Sequence, residues 1–373
     1  MKIAVDAMGG DFAPQSIVEG AVQAAVDYEC RVILVGDREL VEPQLDKLAP
    51  PDGYIQVKHA SEVVRMDEAP RRALSRKRDS SILRAFELVK SGEANAALSA
   101  GNSGAAMLAG LYVLGPLPNV DRPCIGSILP TGKGGPTVMA DAGANVDCKP
   151  HNLVQFAFMG SALAKYSLEI ANPKVGLLSI GEEAGKGNEI VRTTFNLLKR
   201  SNLNFVGNIE GSDVFSGDVD VVVCDGFVGN VALKTGEGVV QILARALKDE
   251  IRSSALGRFG YIFMRPALKK FKSRFDYDEH GGALLLGIDG IGLIAHGRSN
   301  PKAIKNAVKM ADGFARNRID RRIREEVESS IDLKQSVGDK VHQVIETLKE
   351  KKIEMDLKGA GEKAGRATSE EST

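Results

Sequence analysis

Two hydrophobic rhythms alternate along the chain. Short runs rich in β-branched residues lie at 3–6, 31–35, 55–57, 96–99, 125–129, 137–140, 175–179, 204–207 and 219–224, and these read as strands. Between them, apolar positions recur with helical spacing at 13–28, 39–48, 80–91, 152–166, 188–200, 228–253 and 301–328. Pro301 suits a first helical turn and Asn300 suits its cap. Strand–helix alternation of this kind predicts an α/β fold, a mostly parallel sheet with helices on both faces. No internal repeat interrupts it. The pattern predicts a single large α/β unit over residues 1–350, while 351–373 lacks hydrophobic periodicity and is expected to be a disordered tail.

Several predicted strands run directly into turns rich in Gly, Asn and Ser, at 6–11, 100–104, 181–188 and 225–230. In open α/β sheets ligands bind beyond the carboxyl ends of strands. Free backbone N–H groups at a helix N-terminus favour anions, above all phosphate. Any one such turn is equally an ordinary βα connection. Four together, with Lys186 in the third, favour a phosphate site.

Other chemistries are excluded. There is no G-x-S-x-G elbow, and the five histidines, at 59, 151, 280, 296 and 342, form no HExxH. Residues 181–187 fall one residue short of a P-loop and carry Gly187 where Ser or Thr would meet Mg²⁺. Residues 290–295 match G-x-G-x-x-A but lead into a turn, not the long helix a dinucleotide site needs. Asp6, Asp11 and Asp225 are acidic enough to be weighed as metal ligands. Asp11 is expected instead to cap a helix, and Asp6 and Asp225 to order the site through hydrogen bonds; no metal is expected. His280, beside Gly281 and Gly282, reads more readily as structural than functional.

Charge narrows the partners. Lys+Arg and Asp+Glu are both 49, so nucleic acid is not attracted globally and is not an expected partner. Locally, 252–275 holds Arg252, Arg258, Arg265, Lys269, Lys270, Lys272 and Arg274 without an acid, interleaved with Phe259, Ile262, Phe263 and Met264. That composition suits a membrane surface or an acidic protein; a dimer contact with a solvated face is the plainer alternative. A second basic run, 71–78, reads as a solvated loop or as a receiver for an anionic substrate or carrier. The four scattered cysteines fit a reducing compartment. The opening MKIAVDAMGGD reads as a buried strand and not a signal peptide, so a cytoplasmic location is expected. No run approaches the roughly 20 apolar residues of a membrane span.

Five blocks carry a resemblance: KIAVDAMGGD at the start, SAGNSGA at 99–105, PTVMADAGANVDCKP at 136–150, SIGEEAGKGNE at 179–189 and DGFVGNVALKTGEG at 225–238. In this order, over roughly residues 1–330, they closely resemble the bacterial phosphate acyltransferase family, PlsX. The resemblance implies transfer of a long-chain acyl group from acyl-carrier protein to inorganic phosphate. The acyl phosphate would pass to a membrane glycerol-3-phosphate acyltransferase in phospholipid synthesis. It also implies a fold similar to phosphotransacetylases and isopropylmalate-type dehydrogenases, and no cofactor. The resemblance further implies a homodimer with a projecting helical hairpin, here about 240–275, whose tip would meet the inner face of the membrane peripherally.

Phosphate is already largely ionised near neutrality, so such a reaction needs little base; a phosphate ester's second pKa is about 6. The catalyst must hold phosphate at attack distance and stabilise the tetrahedral oxyanion. On that reading Lys186 neutralises phosphate, and Asn230 donates a hydrogen bond with the backbone N–H groups of Gly226 and Gly229. Gly9, Gly10, Asn102, Ser103 and Gly104 complete an anion cradle, with Asp6, Asn188, Asp225 and His280 alongside. Arg252, Arg258, Phe259, Ile262, Phe263, Met264, Arg265, Lys269 and Lys270 are the expected membrane or carrier contacts. Three alternatives stay open: a small-acyl phosphotransacetylase using coenzyme A, a decarboxylating dehydrogenase using NAD, and a peripheral-membrane anion-binding scaffold without catalysis. The second needs a carboxylate cluster that the sequence does not assemble.

Overall fold

The computed structural model describes residues 1–275 and 281–329, with the side chains at 255, 257, 258, 270, 272–275 and 329 outside that description. Its strands are β1 (Lys2–Asp6), β2 (Arg31–Gly36), β3 (Ile55–His59), β4 (Ala96–Ser99), β5 (Cys124–Pro130), β6 (Pro136–Ala140), β7 (Val175–Leu178), β8 (Phe205–Ile209), β9 (Val221–Val223), β10 (Ala283–Leu286) and β11 (Gly292–Ile294). Its helices are α1 (Gln15–Tyr28), α2 (Arg38–Leu48), α3 (Pro70–Arg76), α4 (Ser81–Lys90), α5 (Ser103–Val113), α6 (Pro150–Ser167), α7 (Glu189–Leu198), α8 (Gly226–Ser253), α9 (Ala255–Phe275), α10 (Pro301–Arg316) and α11 (Ile319–Ser329).

The strands form one eleven-stranded sheet in the order β3-β2-β1-β4-β11-β10-β5-β6-β9-β7-β8. Successive side chains of a strand point to opposite faces, and the core divides accordingly. Ile3 and Val5 of β1 join the cluster under α1, α6 and α10, whereas Ala4 joins the one under α4 and α5. Both faces are buried, which is why the central strands read as continuous apolar runs.

Pairing is parallel except at β11–β10, β10–β5 and β5–β6. The sheet therefore reverses direction near its middle. Strands β1, β4 and β11 end at one end of the sheet, and β6, β9 and β7 end at the other. Mostly parallel pairing with helices on both faces is as expected. The reversal is not visible from periodicity.

The structure departs from the sequence reading in several places. Residues 290–295 contain β11, a strand the sequence reading did not assign; it pairs with β4, in keeping with the expectation that the glycine pattern there is not a dinucleotide turn. Gly292 is required by packing, because a Cβ there would lie 2.7 Å from Phe86 Cε1. The helix expected over 301–328 breaks at Asn317 and Arg318, where Arg318 takes φ +48°. The basic run at 71–78 forms α3 for most of its length, with Pro70 at the first turn. Asn300 does cap α10, its Oδ1 accepting from Ala303 N at 2.9 Å.

One compact unit spans Met1–Glu328. The expected boundary at 350 and the tail at 351–373 lie outside the described residues. Helices α8 and α9 pack on one another and show apolar side chains to solvent. Ile242 and Leu243 of α8 are exposed, as are Phe259, Ile262, Phe263 and Met264 of α9, with the Phe259 and Phe263 rings edge to face at 5.5 Å. Arg252, Arg265 and Lys269 are exposed among them. The side chains of Arg258 and Lys270 are outside the description. Among the described residues, no helix is long and apolar enough to cross a membrane.

Candidate functional site

Three turns meet at the ends of β1, β4 and β11. Asp6 ends β1 and is buried. Its Oδ2 accepts from Ser99 Oγ at 2.7 Å, and its Oδ1 from Met8 N at 3.2 Å. Ser99 Oγ in turn accepts from Gly101 N at 3.0 Å. One carboxylate thus fixes the turns after two neighbouring strands. Burial pushes the Asp6 carboxyl pKa up, opposed by hydrogen bonds from Ser81, Ser99 and the Met8 and Gly9 backbone. Gly9 is obligatory here, since a Cβ would sit 2.6 Å from Asp6 Oδ2 and 2.8 Å from Gly101 N. Gly10 adopts φ +109°, a region that favours glycine. Asp11 N donates to Gly297 O at 2.7 Å and draws in the turn after β11.

Asn102 caps α5, its Oδ1 accepting from Ala105 N at 3.1 Å, while its Nδ2 donates to the Met66 and Glu68 carbonyls. Ser103 stands exposed at the first turn, and Gly104 admits Pro70, whose Cγ would be 2.9 Å from a Cβ. The structure brings Asp6, Gly9, Gly10, Asn102, Ser103 and Gly104 together at the ends of β1 and β4. The two aspartates exchange roles, however. Asp11 caps no helix; α1 has Pro14 at its cap position and no side-chain cap, and Asp11 faces Arg298 at 3.9 Å. Asp225 is the cap, its Oδ1 accepting from Val228 N at 2.8 Å at the start of α8.

A second set of turns lies at the ends of β6 and β9. Its centre is Asp141, which the sequence reading did not single out. Its carboxylate accepts from Ile125 N, Gly143 N, Ala144 N, Asn145 N and Asn145 Nδ2, at 2.7–3.2 Å. Burial nonetheless raises its pKa. The turn so formed seats α8: Gly226 N donates to Asn145 O at 2.7 Å, and a Cβ on Gly229 would lie 2.0 Å from Asp141 O. Gly226 and Gly229 are therefore packing glycines that let a helix N-terminus touch a neighbouring turn. Cys124, Cys148 and Cys224 surround Asp141, and burial pushes all three thiols up, Cys148 to about 12. A buried thiol so held is not a nucleophile.

Helix α8 connects the two sets. Asn230, Lys234 and Glu237 fall at i, i+4 and i+7, on one face. Asn230 stands over Gly143, its side-chain atoms 3.6–3.8 Å from where a Cβ there would be. One turn on, Lys234 Nζ bonds Glu237 at 2.8 Å and lies 3.2 Å from His296 Nε2, just after β11. His296 Nδ1 accepts from Arg298 N at 3.1 Å. A neutral imidazole has one accepting nitrogen, for which Arg298 N and Lys234 Nζ compete. With Arg298 N on Nδ1 the ring proton is on Nε2, and the Lys234 ammonium and the His296 Nε2–H are then two donors that one anion oxygen can bridge. Partial burial, then the Lys234 charge, holds the His296 pKa below the usual imidazole value, so the ring stays neutral near pH 7. Neither residue was named as a site by the sequence reading. The available signal was spacing: Lys234 follows Asn230 by one helical turn.

Lys186 sits in the turn after β7, whose end adjoins that of β9. Its side chain is exposed and folds over Gly181, its Cγ 3.1 Å from a Cβ there. Asn188 caps α7 through Val191 N at 2.9 Å. Among the described residues no hydrogen bond or ion pair joins Lys186 to Asn230. His280 lies outside the described residues. No group of three or more His, Cys, Asp or Glu side chains among the described residues is placed to hold a metal ion.

The family model described as fatty acid synthesis protein matches residues 1–322. A phosphate acyltransferase of Pelotomaculum thermopropionicum is 51% identical over 344 residues, 92% of this chain and 100% of that protein. Its counterpart in Thermodesulfovibrio yellowstonii is 52% identical over 325 residues, 87% of this chain and 94% of that one. Among solved structures, a phosphotransacetylase from Streptococcus pyogenes superposes with a TM-score of 0.57 at 18% identity, covering 84% of this chain and 94% of that one. The EutD phosphotransacetylase from Staphylococcus aureus gives 0.54 at 16% identity with the same coverage. At such identities these structures speak to the fold alone.

Proposed function

This chain belongs to the fatty acid synthesis protein family whose curated relatives are phosphate acyltransferases, and from that premise we propose that it moves a long-chain acyl group from acyl-carrier protein to inorganic phosphate. That it is an acyltransferase using phosphate follows from the family. The carrier donor, the long chain and a role in phospholipid synthesis belong to the proposal. The observation that supports it most is the pair of facing donors, Lys234 Nζ and His296 Nε2, at the junction of α8 with the glycine turns.

Phosphate bound to this pair presents an oxygen as nucleophile. That oxygen forms a bond to the thioester carbonyl carbon, the carbonyl oxygen becomes an oxyanion, and collapse breaks the carbon–sulfur bond. Acyl phosphate and the carrier thiol result, with the proton lost by phosphate ending on sulfur. Asn230, one turn towards the N-terminus of α8, is the donor proposed for the oxyanion. Lys186 is proposed to neutralise phosphate charge from the neighbouring turn. No protein nucleophile is required, which agrees with the buried cysteines and with the missing Ser elbow. The exposed apolar and basic face of α9 is proposed to rest on the inner membrane surface, and the α8–α9 hairpin to pair with a second copy. The product would then be made where a membrane glycerol-3-phosphate acyltransferase can take it.

A donor comparison tests this reading. Palmitoyl-acyl-carrier protein and palmitoyl- and acetyl-coenzyme A are offered at equal concentration with phosphate, and acyl phosphate is trapped. The proposal expects the carrier to give the highest kcat/KM. A preference for acetyl-coenzyme A would make the chain a small-acyl phosphotransacetylase instead.

A further inference from the structure

Helix α3 carries a cluster of exposed cations. Arg71, Arg72 and Arg76 are exposed, and Arg72 and Arg76 are spaced i, i+4, where like charges repel. The acids around them are committed elsewhere. Glu68 bonds Lys77 Nζ at 2.6 Å, Asp67 pairs with Arg65 at 3.3 Å, and Asp79 accepts from Arg84 Nε at 2.7 Å. Arg78 extends the cationic surface, stacked over Tyr112 at 5.3 Å and bonded to its hydroxyl at 2.8 Å.

This surface borders the candidate site. Pro70 at the start of α3 lies against Gly104, and the carbonyls of Met66 and Glu68 receive Asn102 Nδ2. The Met66 methyl would be 2.7 Å from a Cβ on Gly297, next to His296. Met66, Glu68 and Pro70, which lead into α3, thus border the candidate site.

The exposed face of α3 is cationic and not apolar: its Ala73 and Leu74 are buried. Helix α9 is the opposite, with exposed Phe259, Ile262, Phe263 and Met264 among its cations. A lipid surface needs both the apolar and the charged component, whereas an acidic folded protein needs only the second. We propose that α3, through Arg71, Arg72 and Arg76, is the surface on which the acidic acyl-carrier protein docks, leaving α9 for lipid. This rests on the carrier-donor reading above.

The test is the triple variant Arg71→Glu, Arg72→Glu, Arg76→Glu, with Arg72→Gln as a milder companion and melting curves to confirm folding. Electrostatic steering changes association by about 10 to 10³-fold, so KM for the acylated carrier should rise about tenfold or more at low salt, with kcat within about twofold. The dependence of KM on salt should flatten, and co-sedimentation with anionic vesicles should be unchanged. An unchanged KM overturns the surface. Lost vesicle binding with KM intact makes α3 a lipid contact and overturns it too. Calorimetric binding of the unacylated carrier separates the two readings. Binding by the wild type but not by the variant, without turnover, would support the surface and overturn the donor assignment. Turnover by the wild type with variant KM unchanged would do the reverse.

Discussion

Replacing Gly229 by alanine would place a methyl carbon 2.0 Å from the Asp141 carbonyl oxygen. Even a close carbon–oxygen contact needs about 3.3 Å. The first turn of α8 must therefore retreat by about 1.3 Å, or the Asp141 turn must open. The turn is held by five donors on one carboxylate, so the helix is the partner expected to move. Overpacking of this kind costs about 1–3 kcal/mol, which lowers Tm by a few degrees in a chain of this size. The functional loss should be larger. Asn230 and Lys234 ride on the displaced helix, and a misplacement of about 1 Å can cost about 10²-fold in rate. Gly238, on the same helix with nothing within 4 Å of its Cβ position, provides the control. Gly238→Ala should be neutral or slightly stabilising, by up to about 1 kcal/mol. The assays are melting curves and phosphate-dependent acyl phosphate formation. Wild-type turnover by Gly229→Ala would refute the argument that seating of α8 on the Asp141 turn sets the positions of its site residues.

Three further outcomes are expected. Lys234→Met should raise KM for phosphate more than it changes KM for the acyl donor, whereas Asn230→Ala should lower kcat by about 10²–10³, the usual effect of losing one oxyanion donor; initial rates over both substrates separate them. Asp79, bonded to Ser61 and Arg84, has its pKa lowered from the usual 3.8 to about 2. Its contribution to stability is thus present above about pH 4 and lost as pH falls towards 2, so the Tm deficit of Asp79→Asn should shrink between pH 6 and pH 3. Charging the α9 face with Phe263→Glu and Met264→Glu should release the protein from anionic vesicles without changing kcat, and sedimentation that stays as in the wild type would remove the lipid contact from the account.

The strands and most helices were legible because burial on both faces leaves uninterrupted apolar runs, and helices leave one apolar stripe. Strands β10 and β11 were not, since three or four residues between glycines show neither period. The reversal of the sheet was hidden for a deeper reason: periodicity reports which face a residue takes, not which direction its strand runs. At the candidate site, glycine turns marked the strand ends that come together, but the sequence could not tell a glycine that admits a ligand from one that admits the protein. Gly226 and Gly229 are of the second kind. Asp141 was masked because four of its five donors are backbone groups, which carry no residue signature. Lys234 and His296, 62 residues apart, meet only through the path of α8 across the sheet.

The central claim is that bound phosphate itself attacks the thioester. Its most direct test is to incubate the protein with palmitoyl-acyl-carrier protein, with and without inorganic phosphate, while measuring released carrier thiol and trapped acyl phosphate together. The account predicts thiol release only when phosphate is present, with one acyl phosphate formed per thiol. Thiol release that continues without phosphate would make water or a protein group the nucleophile and would contradict it.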